Sequence, residues 1–146
     1  MKNIFVILFF ISTFCYSQNT KSISWETKTS KVSDSEYDVI IIASIKEGYH
    51  LYSQNIYENG PIPTVFNYKK SRKFKLLGKT EEPEGQTIYD PVFGKEIKSF
   101  ENEAVFKQRI QAFTKRKFKV NLEILYMTCN DLSCKKGTKK IELEIN

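Results

Sequence analysis

Two cysteines with four residues between them, in Tyr126-Met127-Thr128-Cys129-Asn130-Asp131-Leu132-Ser133-Cys134, are the residues of this chain best suited to chemistry. A thiolate attacks disulfide sulfur, and a second thiol close by can displace the bond so formed. Four intervening residues let the chain fold back far enough to bring the two Cα atoms within the roughly 4.4–6.8 Å that a disulfide needs. The pair can therefore open and close without large rearrangement. Lys135 and Lys136 favour a thiolate at Cys134, and Asp131 opposes it. The same pair also reads as a staple between two strands. Against a staple, closing a loop of about six residues restrains the unfolded chain by only about 2 kcal/mol, less than a long-range bridge would. On the residues alone, the redox and structural readings both stand.

A second group is Gly48-Tyr49-His50-Leu51-Tyr52-Ser53-Gln54, which holds the only histidine. In an extended chain Tyr52 falls on the same side as His50. Aromatic rings there either exclude water beside the thiols and shape a docking surface, or pack into the core or its rim. A Cys–His hydrolase pairing His50 with Cys129 or Cys134 is set aside, because a second thiol so near would quench the nucleophile by oxidation outside the cell. A further reading has the aromatic loop Tyr49 to Tyr57, with the basic residues, bind a polymer or a folding client directly.

Export follows from the first residues. Met1 to Ser17 carries Lys2, no acidic residue and an apolar run from Ile4 to Ile11, the pattern of a secretory signal peptide. Phe14 stands before Cys15 where a lipoprotein signal has a small residue, so cleavage after Ser17 is expected, leaving residues 18–146 as one domain with Cys129 and Cys134 as its only cysteines. An even pair in an exported chain is able to oxidise. No later stretch reaches the ~18 apolar residues of a membrane span, so no stable membrane insertion is expected, and the mature protein is expected in the periplasm.

Composition removes other classes. One histidine and two mature cysteines do not complete a four-ligand zinc site, so no metal is expected. There is no Gly-rich phosphate loop and no G-x-S-x-G elbow, and no cofactor is implied. The chain carries 23 Lys and Arg against 17 Asp and Glu, net +6. The basic residues cluster at Lys69, Lys70, Arg72 and Lys73, at Lys115 to Lys119, and at Lys135 to Lys140, which reads as solvated strand faces and turns. Nucleic-acid binding needs a coherent basic face with stacking aromatics and is not expected. Affinity for acidic surfaces or partners remains open.

The elements that must hold the thiols are strands. Phe118, Val120, Leu122, Ile124 and Tyr126 alternate with polar residues, as do Ile141, Leu143 and Ile145. Tyr37 to Ile45 is a β-branched run. Shorter strands are expected over Ser22 to Thr29, Thr64 to Tyr68, Lys73 to Gly78 and Ala104 to Phe113. About seven strands parted by turn residues, with no helical stripe, specify an all-β, antiparallel sandwich. Ser53 to Pro63 and Thr80 to Glu96 read as two long loops, of the kind that are mobile or functional. Both thiols belong to the hairpin-like corner between the last two strands.

Taken together, Glu47-Gly48-Tyr49-His50-Leu51-Tyr52, Gly60-Pro61-Ile62-Pro63-Thr64, Tyr89-Asp90-Pro91-Val92-Phe93-Gly94, and Tyr126-Met127-Thr128-Cys129 with Cys134 resemble the amino-terminal periplasmic domain of the thiol:disulfide interchange protein DsbD, above all its stand-alone, single-domain relatives. The likeness runs from about Ile23 to Ile145. It implies an immunoglobulin-like sandwich whose cysteines are redox active, taking electrons through a thioredoxin-like domain and reducing disulfides in periplasmic partners. Carried over, Cys129 and Cys134 are the dithiol, with Cys134 forming mixed disulfides. Tyr52 is the aromatic beside the site, and Asp90 to Gly94 is a cap that shields the cysteines until a partner docks. His50 stands where better-known members have Tyr. Pro91-Val92-Phe93 replaces an acidic residue and an aromatic, which makes Phe93 the shielding ring, offset by one position. Lys135-Lys136 replaces a Pro-containing continuation.

The expected function is thus an exported, monomeric redox relay, a thiol-disulfide oxidoreductase if active, whose electrons come from a separate thioredoxin-like or membrane thiol donor. The alternative is a non-catalytic β-sandwich binding module with a structural disulfide.

Overall fold

The computed structural model describes residues 21–146, and the expected signal peptide, residues 1–17, lies outside them. Ten strands form: β1 (Ile23–Lys31), β2 (Glu36–Ile45), β3 (His50–Tyr52), β4 (Val65–Tyr68), β5 (Phe74–Glu81), β6 (Gln86–Asp90), β7 (Lys95–Phe100), β8 (Glu103–Ala112), β9 (Phe118–Cys129) and β10 (Cys134–Ile145). They make two antiparallel sheets, ordered β1-β2-β8-β5 and β10-β9-β3-β7-β6, with β4 also paired to β9. The fold is the all-β, antiparallel sandwich expected from the alternation, in the immunoglobulin-like form that the resemblance implies.

The strands β2, β8 and β9 bury the face their pattern dictates. Val39, Ile41 and Ala43 of β2 and Ala104, Phe106 and Ile110 of β8 meet Phe118, Val120, Leu122 and Ile124 of β9 in one continuous core between the sheets. Removing these side chains from water is the main force holding the layers together. Asp38 of β2 and Arg109 of β8, directly opposed on the two inner strands of the four-stranded sheet, form paired bonds, Nε to Oδ1 at 2.8 Å and a guanidinium nitrogen to Oδ2 at 3.0 Å. The β5–β8 register shifts between Leu77 and Glu81, where Gly78 takes a φ of 71° that side chains resist.

One loop expectation is corrected. Residues 80–96 are not a long connection: β5 runs on to Glu81, and β6 and β7 form a hairpin with Gln86 opposite Ser99 and Asp90 opposite Lys95. This hairpin ends the six-stranded sheet. Ile88 and Tyr89 of β6 are exposed, so the strand lacks a buried face and the alternation that reveals one. The missed strands raise the count from about seven to ten.

Residues 53–63, by contrast, do form a long excursion. β3 and β4 pair with the same strand, β9, at Cys129 and Thr128 and then at Leu125 to Leu122. The chain between them leaves the sheet and turns at Glu58-Asn59, where Gly60 N–H donates to the Tyr57 carbonyl at 3.1 Å. It is pinned at both ends: Ser53 N–H donates to the Lys98 carbonyl at 3.1 Å, and Thr64 N–H to the Ser53 carbonyl at 3.0 Å.

Candidate functional site

Side-chain parity along β9 locates the site. Even-numbered residues from Phe118 to Thr128 face the other sheet, so Met127 and Cys129 face outward. Cys129 lies directly opposite Cys134 on one side and opposite His50 on the other, and directly opposed residues project from the same face of a sheet. Cys134, Cys129 and His50 therefore form one row across three strands, outside the main core.

Cys129 and Cys134 are joined by a disulfide, with Cα atoms 4.0 Å apart. The hairpin sets this spacing. Asn130 N–H donates to the Ser133 carbonyl at 3.0 Å, which makes the next pair inward one of the closely spaced, non-hydrogen-bonded kind. Asn130 Oδ1 also accepts from the N–H groups of Leu132 and Ser133 at 3.1 and 2.8 Å, holding the turn in shape.

Around the disulfide is a second, smaller apolar cluster: Tyr52, Ile97, Met127 and Cys129, against which Tyr57, Ile62, Phe93 and Cys134 pack. Tyr57 and Ile62 come from the 53–63 excursion and Phe93 from the β6–β7 turn, so two loops roof the row. Cys129 is fully buried, whereas Cys134 is only partly so. Sulfur accessibility is thus unequal within the pair.

The four residues expected from sequence to cap or line the site come together here. Tyr52, 1% exposed, donates its hydroxyl to Asp90 Oδ2 at 2.6 Å. Phe93 meets the Tyr52 ring edge-on, with centroids 5.8 Å apart. Asp90 Oδ1 accepts from the N–H groups of Val92 and Phe93 at 2.9 and 3.4 Å, and Gly94 N–H donates to the Asp90 carbonyl at 2.8 Å. One carboxylate thus ties the Phe93 turn to β3.

His50 Nε2 lies 3.0 Å from the Tyr52 oxygen and 3.7 Å from Asp90 Oδ2. Tyr52 has a single hydroxyl hydrogen, already given to Asp90, so its oxygen accepts from His50 and Nε2 carries the hydrogen. Burial first, then the hydrogen bond to Asp90 and its charge, push the Tyr52 hydroxyl well above the ordinary value of 10.0. Tyr52 is accordingly a neutral donor across the physiological range.

Sequence reading missed four residues of the roofed cluster as site members: Tyr57, Ile62, Ile97 and Met127. Tyr57 Oη accepts from the Lys98 N–H at 3.0 Å, and Lys95 Nζ donates to the Glu58 carbonyl, so the excursion is anchored to β7. Met127 carried a usable signal, being out of phase with the apolar stripe of its own strand. Lys135 and Lys136 are exposed, Lys135 opposite Thr128 and Lys136 opposite Met127. No group of three or more His, Cys, Asp or Glu among the described residues is placed to hold a metal ion.

The family described as thiol:disulfide interchange protein DsbD, N-terminal, matches residues 23–145. Among solved structures, the N-terminal periplasmic domain of ScsB from Proteus mirabilis superposes with a TM-score of 0.64 at 14% identity, covering 86% of this chain and 47% of that one. This likeness is one of fold, and the chain spans about half the length of that structure. The reduced DsbD N-terminal domain of Neisseria meningitidis gives a TM-score of 0.49 at 18% identity, covering 82% of each chain. The complex of the DsbD and PilB N-terminal domains from the same organism gives 0.48 at 15% identity, covering 82% of this chain and 80% of that one. No curated protein matches the chain. With the family spanning nearly all the described residues and a cysteine pair at disulfide distance, the chain belongs to the DsbD N-terminal family of thiol:disulfide interchange domains.

Proposed function

We propose that this protein is an exported, periplasmic redox relay in which the Cys129/Cys134 couple passes electrons from a thioredoxin-like or membrane thiol donor to disulfide-bearing partners. The observation that carries this reading is the position of the disulfide. It lies outside the inter-sheet core, between two strands already joined by a full ladder, and beneath two loops. A staple there adds little to the fold, whereas a sulfur pair under a roof of side chains suits exchange with a visiting protein.

The chemistry uses the unequal burial. In the reduced state the Cys134 thiolate attacks one sulfur of a partner disulfide, and the partner's other sulfur leaves as a thiolate. The buried Cys129 then attacks Cys134 Sγ, forming the intramolecular disulfide and releasing the partner's second thiolate. Two electrons pass to the partner, whose thiolates take up two protons. A donor dithiol reverses these steps on the relay itself. Phe93 and Tyr52 shield the pair between encounters, and His50 and Asp90 hold Tyr52 in place.

Incubating single-cysteine variants with a thioredoxin-like domain and resolving the products without reductant tests the assignment. Cys129→Ser is expected to accumulate a mixed disulfide through Cys134, and Cys134→Ser to form none. Unchanged exchange in both variants would overturn the reading in favour of a binding module with a structural bridge.

A further inference from the structure

We propose that the open edge beside Cys134, between β1 and β10, is a docking cleft for an acidic, extended segment of a partner polypeptide. It goes beyond the exchange reaction by assigning a surface outside the cap, along the strand edge that begins at Cys134.

The cleft, about 360 Å³, is lined by residues of both sheets, among them Lys21, Trp25, Tyr126, Lys135, Lys136 and Lys139, and by no acidic residue. Its floor is aromatic, with the Trp25 and Tyr126 rings 5.3 Å apart. The Tyr126 ring lies across Gly137, where any Cβ would collide with it. The Trp25 indole N–H is buried and has no hydrogen-bond partner among the described residues. An orphaned donor of this kind is costly unless something supplies an acceptor.

Charge along the β9–β10 hairpin divides sharply. In its far half the lysines are neutralised: Lys117 pairs with Glu144, Lys119 with Glu142 and Lys140 with Glu123. In the half that borders the cleft, Lys135, Lys136 and Lys139 form no ion pair among the described residues, nor does Lys21 across the gap. Lysines on an edge strand also discourage unwanted pairing, but that role does not gather a fourth lysine, from the segment leading into β1, around an aromatic floor.

Backbone geometry selects an extended peptide among anions. β10 ends its sheet. Because Cys129–Cys134 is a non-hydrogen-bonded pair, alternation leaves the main-chain groups of Cys134, Lys136 and Thr138 pointing away from β9. A segment adding along this edge would run past Cys134 with its carboxylates among the unpaired lysines. A second copy of the chain fits poorly, since β10 against β10 sets lysine rows against each other.

The test uses the purified oxidised protein, with a fluorescein-labelled decapeptide alternating Glu with Thr and Val. Fluorescence anisotropy reads affinity, and the emission of Trp25, the only tryptophan, reads the site. Binding that changes both signals is expected, with Lys135→Gln/Lys139→Gln weakening it about fivefold or more and the equally charged control Lys117→Gln/Lys119→Gln within twofold of wild type. A peptide N-methylated at alternate residues is expected to bind more weakly. The proposal is overturned by no binding, by equal loss in the two double variants, or by equal binding of the N-methylated peptide. Equal lysine-dependent binding of phosphatidylglycerol vesicles or oligothymidylate would likewise overturn it, as would a dimer of the protein alone. The readout is binding to the oxidised form, so its failure leaves the exchange reading untouched, and an inert disulfide leaves the cleft untouched.

Discussion

Tyr52 and Asp90 share a hydrogen bond of 2.6 Å that fastens β3 to the end of β6 and, through the other Asp90 oxygen, to the turn that carries Phe93. Tyr52→Phe removes the donor while keeping the ring against Phe93. The buried carboxylate loses a partner, so a loss of about 1–3 kcal/mol is expected, read as a lower urea midpoint at unchanged slope. An unchanged midpoint would show that the bond does not hold the cap.

Phe93 is half-buried on the cluster that contains Cys129. Phe93→Ala opens the roof without touching a sulfur. Reduction of the disulfide by a small thiol is expected to quicken severalfold, measured by thiol release under native conditions, while the chevron in urea shifts only modestly. Equal rates in both proteins would mean that Phe93 is not the shield.

His50 donates to the Tyr52 oxygen at 3.0 Å. Gln keeps a donor on a flexible side chain, and Leu does not. His50→Leu is expected to cost about 1 kcal/mol and His50→Gln less than half of that, compared by thermal unfolding at one pH. The reverse order would assign His50 a packing role only.

Two pH limits follow from the perturbed groups. The hydrogen bond from Arg109, partly offset by burial, holds Asp38 below its ordinary 3.8. Stability from that pair is complete above 3.8 and falls as pH drops through the lower folded value. At the alkaline end, Tyr52 keeps its proton in the folded protein after the unfolded chain has begun to lose it near 10.0, so stability declines as pH rises past that point. Arg109→Gln should flatten the acid limb and Tyr52→Phe the alkaline limb in denaturant midpoints taken across pH. Limbs unaltered by the substitutions would refute these assignments.

The fold was largely legible because its long strands are buried on one face and exposed on the other. Phe118 to Tyr126 and Ile141 to Ile145 show that period directly. β6 was not legible, since a short strand with exposed Ile88 and Tyr89 has no apolar buried face to mark it. The site divides in the same way. Cys129, Cys134, Tyr52, His50, Asp90 and Phe93 carry chemistry or motif spacing, but Ile62 and Ile97 meet them only through the loop path and the β3–β7 register. Spacing along one chain does not encode which residues a neighbouring strand sets beside it.

In the proposed relay the Cys129/Cys134 bond is made and broken in use rather than kept. Equilibrating the purified mature protein with defined thiol buffers and counting free thiols gives its midpoint potential. A value of about −180 to −270 mV, in the range of exchange proteins, is predicted, and a value below about −300 mV, where structural bridges lie, would contradict the account.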